Sequence, residues 1–281
     1  MREWTRTVAL ALGLLLGSGL AQAFSLDLGK LVDIAKQATN LADVDTDREN
    51  EIGRDMSAKL LGAAPLLDNP ELQRYVNDVG QWIALQSERP DLGWHFGVLD
   101  TDDINAFAAP GGYVFLTAGL VGRLQSEAEL AAVLAHEMAH VTRKHHLNAI
   151  QKQAPTNILS NVLSIAADQD EHGEAWNKLI DVGSDLYTKG LSRDDEFDAD
   201  VVGVVLLTRA GYDPYALAAV LQRLDGVNPD SSALALMQKT HPPPDERLLV
   251  LLASMEDRLD SYASQPQLAV RFQHRVGPEA R

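Results

Sequence analysis

Cysteine is absent from the 281 residues, so neither disulfides nor a lipid attached through cysteine can staple or anchor the chain. Stability must come from core packing and any bound metal, and 46% apolar composition suffices for a domain with appendages. Basic charge is scarce: 24 Lys and Arg stand against 40 Asp and Glu, a formal net charge of −16. That balance argues against nucleic-acid partners and against anionic lipid surfaces. Long apolar runs are missing as well. Residues 7–20 run uncharged for 14 positions and residues 158–167 for ten, both short of the ~18 that a spanning helix needs. No internal repeat or low-complexity segment is present.

Arg2 and Arg6 precede the first run, and Ala21-Gln22-Ala23 closes it with a small-x-small pattern. Residues 1–23 therefore read as a cleavable secretory signal leading to the periplasm, with an uncleaved anchor as the alternative. Residues 24–45 form an amphipathic segment, with Leu28, Leu31, Val32, Ile34 and Ala35 near helical spacing. Helices are predicted over residues 47–62 and 69–86, the second capped by Asp68 or Asn69 with Pro70 in its first turn. Short strands are predicted at 94–99, 104–108 and 113–117, punctuated by Asp-Asp and Pro-Gly-Gly. Ser126-Glu-Ala-Glu129 is a capping box that opens a helix running to about residue 151. Further helices follow Ser192, Pro214 and Pro244, ahead of a polar tail. The predicted fold is α+β and mainly helical, with a small sheet beside the helix of residues 126–151. Its main domain covers residues 46–250, and residues 251–281 form a C-terminal helical tail.

The chemistry concentrates in His136-Glu-Met-Ala-His140. On a helical wheel His140 lies about 40° and Glu137 about 100° from His136, so all three share one side. Two imidazoles so spaced can reach one tetrahedral Zn²⁺, and the glutamate can reach a water beside it. Around them the helix is apolar on nearly every side (Leu130, Val133, Leu134, Met138, Val141 and four alanines), hence buried. Polar groups there are costly unless a metal and a wet cleft compensate them. His146 continues the spacing, but Arg143 stands where a turn-making glycine would be needed. An unbroken helix would carry His146 about 120° away from His140. Glu196 offers a third ligand from another helix. Asp200, one turn on, can accept a hydrogen bond from a ligand histidine, with Asp194, Asp195 and Asp198 as local competitors. Asp198 is expected on the solvent side, and His95, His145, His146 and His172 receive no role.

HEMAH (136–140), SRDDEFDAD (192–200), NAFAAPGGYVFLTAGL (105–120), AGYDP (210–214) and THPPPDER (240–247) occur in that order. Together they resemble the gluzincin zinc proteases of metallopeptidase family forty-eight, closest in type to its periplasmic members. The resemblance implies a zincin-like fold and one Zn²⁺ held by His136, His140 and Glu196. It makes Glu137 the general base and Asp200 a partner of the site. It also implies that Ile104, Asn105, Ala106, Phe107 and Ala108 lie over the cleft and pair with an extended polypeptide substrate. His241 would approach the metal, either capping it in a latent state or steadying the oxyanion. Arg247 would be a structural pairing partner. The chain lacks the membrane spans of some family members, so any membrane association would be peripheral. It also lacks the helical-repeat tail of others. The expected activity is zinc-dependent endopeptidase cleavage of exported or envelope proteins in quality control. The alternative is a chaperone or scaffold on the same fold with a latched or structural zinc site.

Overall fold

The computed structural model describes residues 44–154 and 169–277. The signal pattern, nearly all of the 24–45 segment and the 158–167 run lie outside them. Helix α1 (Thr46–Ala63) opens at Asp45, whose carboxylate accepts from the Arg48 N–H at 2.8 Å. Its buried residues, Glu49, Ile52, Met56 and Leu60 among them, recur at three- and four-residue spacing. Helix α2 (Pro70–Ala84) has the cap expected, Asn69 accepting from Leu72 N–H at 3.1 Å with Pro70 at its start. Three strands follow: β1 (His95–Leu99), β2 (Ala106–Ala109) and β3 (Tyr113–Thr117). They form one sheet in the order β1-β3-β2, with β1 parallel and β2 antiparallel to β3, so β2 is an edge.

Period-two alternation gives the sheet two apolar faces. Ala106, Ala108, Val114 and Leu116 join the larger cluster, with α2 and the helices that follow β3. Phe107, Ala109, Phe115 and Leu99 join the smaller one, with α1 and helices α5 and α6 defined below. After the short helix α3 (Ala118–Val121), α4 (Glu127–Thr142) runs through the core, buried at every position from Glu127 to Val141. Ser126 caps it by accepting from Glu129 N–H at 3.1 Å. The Glu129 carboxylate reaches back one residue further than a capping box requires, to Gln125 N–H at 2.7 Å.

The predicted helix over 126–151 breaks. Lys144 takes a left-handed conformation (φ 57°), and α5 (His145–Gln153) starts anew in another direction. The break is held from a distance by Glu49, which is fully buried. Its carboxylate pairs bidentately with Arg89 at 2.7 and 2.9 Å, accepts from Gly111 N–H at 3.2 Å and lies 3.6 Å from Lys144 Nζ. The remaining helices are α6 (Gln169–Lys189), α7 (Arg193–Arg209), α8 (Ala216–Asp225), the short α9 (Met237–Thr240), α10 (Pro244–Met255) and α11 (Ala269–Val276). The tail drawn from residue 251 starts inside α10, and its Leu251, Phe272 and Val276 are buried in the larger core. Arg271 pairs with Glu127, whose carboxylate also accepts from the Tyr75 and Tyr212 hydroxyls at 2.8 Å each. Among the described residues no helix is long and apolar enough to cross a membrane.

Candidate active site

Helices α4 and α7 cross at Gly203, where a Cβ would meet the backbone N and Cα of His136 at 3.0 Å. That close approach lets α7 deliver Glu196 and Asp200 to the histidines of α4. His136 Nε2 and His140 Nε2 lie 3.2 Å apart. The Glu196 oxygens lie 3.7 Å from the first and 3.5 Å from the second. Ligands at ~2.1 Å from a tetrahedral Zn²⁺ stand about 3.4 Å from one another, so these three donors already have the separations a single ion needs. Glu196 Oε2 is buried with no hydrogen-bond partner among the described residues.

Charge points the same way. Among the described residues, the buried carboxyls of Glu137, Glu196 and Asp200 face one buried cation, Arg247, so that when all three are ionised two negative charges are left for a divalent ion to balance. For the protein groups alone, burial pushes Glu196 far up and Glu137 up to about 8, against the pull of the Arg247 guanidinium. A divalent cation would draw both down. Burial also lowers His136, His140 and His241, keeping the imidazoles neutral as metal binding requires.

Asp200 Oδ1 accepts from His136 Nδ1 at 2.9 Å, which fixes the tautomer with Nε2 unprotonated, 3.4 Å from Arg247 Nη2. Burial works against the charge of Asp200, yet Arg247 and His136 hold its carboxyl far below the usual range. The guanidinium grips it at 2.6 and 3.0 Å.

The sequence pattern of Peptidase family M48 matches residues 68–254, over half of the chain. The chain belongs to peptidase family M48. It is 33% identical over 213 residues to the "Beta-barrel assembly-enhancing protease" of Yersinia pestis, covering 74% of this chain and 44% of that one. The protein of the same name in Escherichia coli K12 is 30% identical over 236 residues, covering 82% of this chain and 48% of that one. The "Mitochondrial metalloendopeptidase OMA1" of Schizosaccharomyces pombe is 31% identical over 210 residues, covering 73% and 60%. The chain thus spans about half the length of the two assembly-enhancing proteases. The family is one of peptidases by its description, and among the described residues His136, Glu196 and His241 form a cluster that could hold a metal ion.

The remaining predicted residues of this M48 site divide. His241 is brought in: its Nε2 lies 3.8 Å from Glu196 Oε2, and its ligand atom, with those of His136 and Glu196, falls within 4.8 Å of the others. Glu137 lines two small cavities, of about 30 and 40 Å³, with Asn105, Ala106 and His241 along both. The substrate strand is shorter than predicted. Ile104 and Asn105 precede β2, and the Ile104 N–H is bonded to Ala233 O at 2.8 Å. Phe107 and Ala108 line the first of these cavities with Glu137, and Phe107 packs edge-on against Tyr187.

Three residues given no site role, His145, His146 and Asp198, lie beside the cluster. Because the helix breaks at Lys144, His145 and His146 fold back under His140, their ring centroids 5.1 and 5.7 Å from its own. Asp198, on the solvent-facing side with its side chain 33% exposed, pairs with Arg143 at 2.7 Å and lies 3.2 Å from His145. Tyr187, on α6, was also missed; its buried hydroxyl has no partner among the described residues, and it lines the cleft with Glu137. Two histidines so soon after the HEMAH stretch, and the place of Asp198 inside SRDDEFDAD, were visible signals; Tyr187 had none.

Proposed function

We propose that this chain is a zinc-dependent endopeptidase of exported polypeptides, resting in a latched state closed by His241. The observation that carries the reading is the convergence of His136, His140 and Glu196 at single-ion separations, beside the buried Glu137. Bound there, zinc would supply Lewis acidity to the scissile carbonyl and to the attacking water. Glu137 takes the proton of that water as its oxygen bonds to the carbonyl carbon. It then gives the proton to the amine nitrogen as the C–N bond breaks. Asp200, braced by Arg247, keeps His136 in the liganding tautomer. An exported location is supported by the signal pattern of residues 1–23, and a role toward envelope proteins by the name of the β-barrel assembly-enhancing proteases it resembles.

The substrate site supports the latch. Asn105 O accepts from Thr117 N–H, so alternation along β2 turns the backbone groups of Ala106 and Ala108 to its free edge. An extended peptide could add there as a strand. The cavities beside Glu137 are small, about 30 and 40 Å³. The segment that closes them runs from Ala233, bonded to Ile104, through α9 to His241 and the stiff Pro242-Pro-Pro244.

The purified protein should hold about one zinc per chain, and Glu196→Ala should lose most of it by metal analysis. Unchanged zinc in that variant would remove the ligand assignment. His241→Ala should raise basal cleavage of casein with zinc content nearly unchanged. A fall of ~10²–10³-fold in kcat would make His241 an oxyanion donor instead, and equal activity would leave it neither role.

A further inference from the structure

We propose that His145 and Asp198 form a positioning relay that orients His140 toward the metal. The proposal rests on the metal-site reading above and concerns residues that reading does not use. His140 directs Nε2 at the cluster, 3.2 Å from His136 Nε2 and 3.5 Å from Glu196 Oε1. A ring that gives its Nε2 lone pair to a metal carries its proton on Nδ1, and that proton needs an acceptor. His140 Nδ1 lies 3.0 Å from His145 Nδ1. If His145 accepts there, its own proton sits on Nε2, which lies 3.2 Å from Asp198 Oδ2. Asp198 is in turn held by Arg143 through Nε at 2.7 Å and Nη2 at 3.1 Å. Each link fixes the protonation of the next.

The arrangement repeats, one residue longer, what Asp200 and Arg247 do for His136. In both cases a carboxylate from α7, backed by an arginine, ends a chain of hydrogen bonds on one imidazole of α4. The two differ in setting. Arg247 and Asp200 are buried, with side chains 6% and 1% exposed, whereas Arg143 and Asp198 are 53% and 33% exposed. The Lys144 break makes the second chain possible, since an unbroken helix would carry His145 away from His140. The left-handed residue thus has a chemical consequence as well as a topological one.

The bland alternative is that His145, 5% exposed at the start of α5, only packs. Zinc affinity, read by competition with a chelator, separates the two when His145→Leu and His145→Asn are compared. The asparagine oxygen can stand where Nδ1 stands and accept from His140; leucine cannot. The leucine variant should bind zinc ~10–100-fold more weakly. The asparagine variant should recover most of that loss, and the thermal midpoints of the two metal-free proteins should agree. In the cobalt-substituted protein the visible bands should shift for leucine and hold for asparagine. Wild-type affinity in His145→Leu would overturn the relay. So would equal losses in both variants that track a fall in metal-free stability. If His145→Leu does not fold, Asp198→Asn keeps the test: its zinc affinity should fall several-fold, and no change would overturn the relay. Glu196→Ala serves as the reference. A wild-type chain without zinc sinks the metal-site reading itself. Zinc that depends on Glu196 but not on His145 sinks only the relay.

Discussion

Glu137→Gln should cut the rate of casein cleavage by ~10²–10⁴-fold, the usual contribution of a positioned acid–base group, in both the wild-type and the His241→Ala background. The amide keeps the shape of the carboxyl but cannot take a proton from water at neutral pH. Fold and metal should survive the change. Glu137 is not one of the three converging donors, and burial already opposes its charge, pushing it up to about 8. A neutral amide removes that penalty, so the thermal midpoint should hold or rise. Cleavage at near wild-type rate would end the general-base assignment. Zinc loss in parallel with activity would mean that Glu137 acts on the metal rather than on the proton.

Arg247→Met should be the most destabilising change at the site, by about 3–5 kcal/mol, because it leaves Asp200 buried without its cation. In a chain of this size that is a fall of roughly 10 °C in Tm. Asp200→Asn in the same chain should recover part of the loss by removing the orphaned charge. The pH dependence has a definite sign. In the wild type the Asp200 carboxyl is depressed, so its contribution is present above its unfolded value of about 3.9 and is lost as pH falls below it. Without the guanidinium, burial raises that carboxyl instead. The folded variant then takes up a proton on acidification, and its deficit should shrink between pH 7 and pH 5. A loss below ~1 kcal/mol at pH 7 would show that the ion pair is dispensable.

What was legible in the sequence followed from local physics. Asn69 and Pro70 mark the start of α2, and Ser126 that of α4, because caps satisfy orphan N–H groups within three residues. The apolar surround of His136 and His140 implied burial, and spacing alone put Glu196 and Asp200 on one face of α7. What was not legible depended on distant partners. No glycine announces the break at Lys144; its left-handed turn is held by Glu49, on another helix and itself gripped by Arg89. Missing that break made His146 appear to point away and left His145 without a role. Ile104 looks like strand by side chain, yet its N–H is claimed by Ala233, a contact that no local pattern encodes.

The grip on Glu127 also sets an order in time. That carboxylate, at the first turn of α4, is held by Tyr75, by Tyr212 and by Arg271, the last of these 144 residues further along the chain. Contacts between such distant segments form late, since the entropy of closing a long loop must be met first. The helix that bears His136, Glu137 and His140 therefore cannot be fully seated until α11 has arrived. A nascent chain shorter than that carries every residue of the cluster yet lacks the last clasp on the helix that presents them. The clasp at the start of α4 is thus completed by one of the last described helices of the chain.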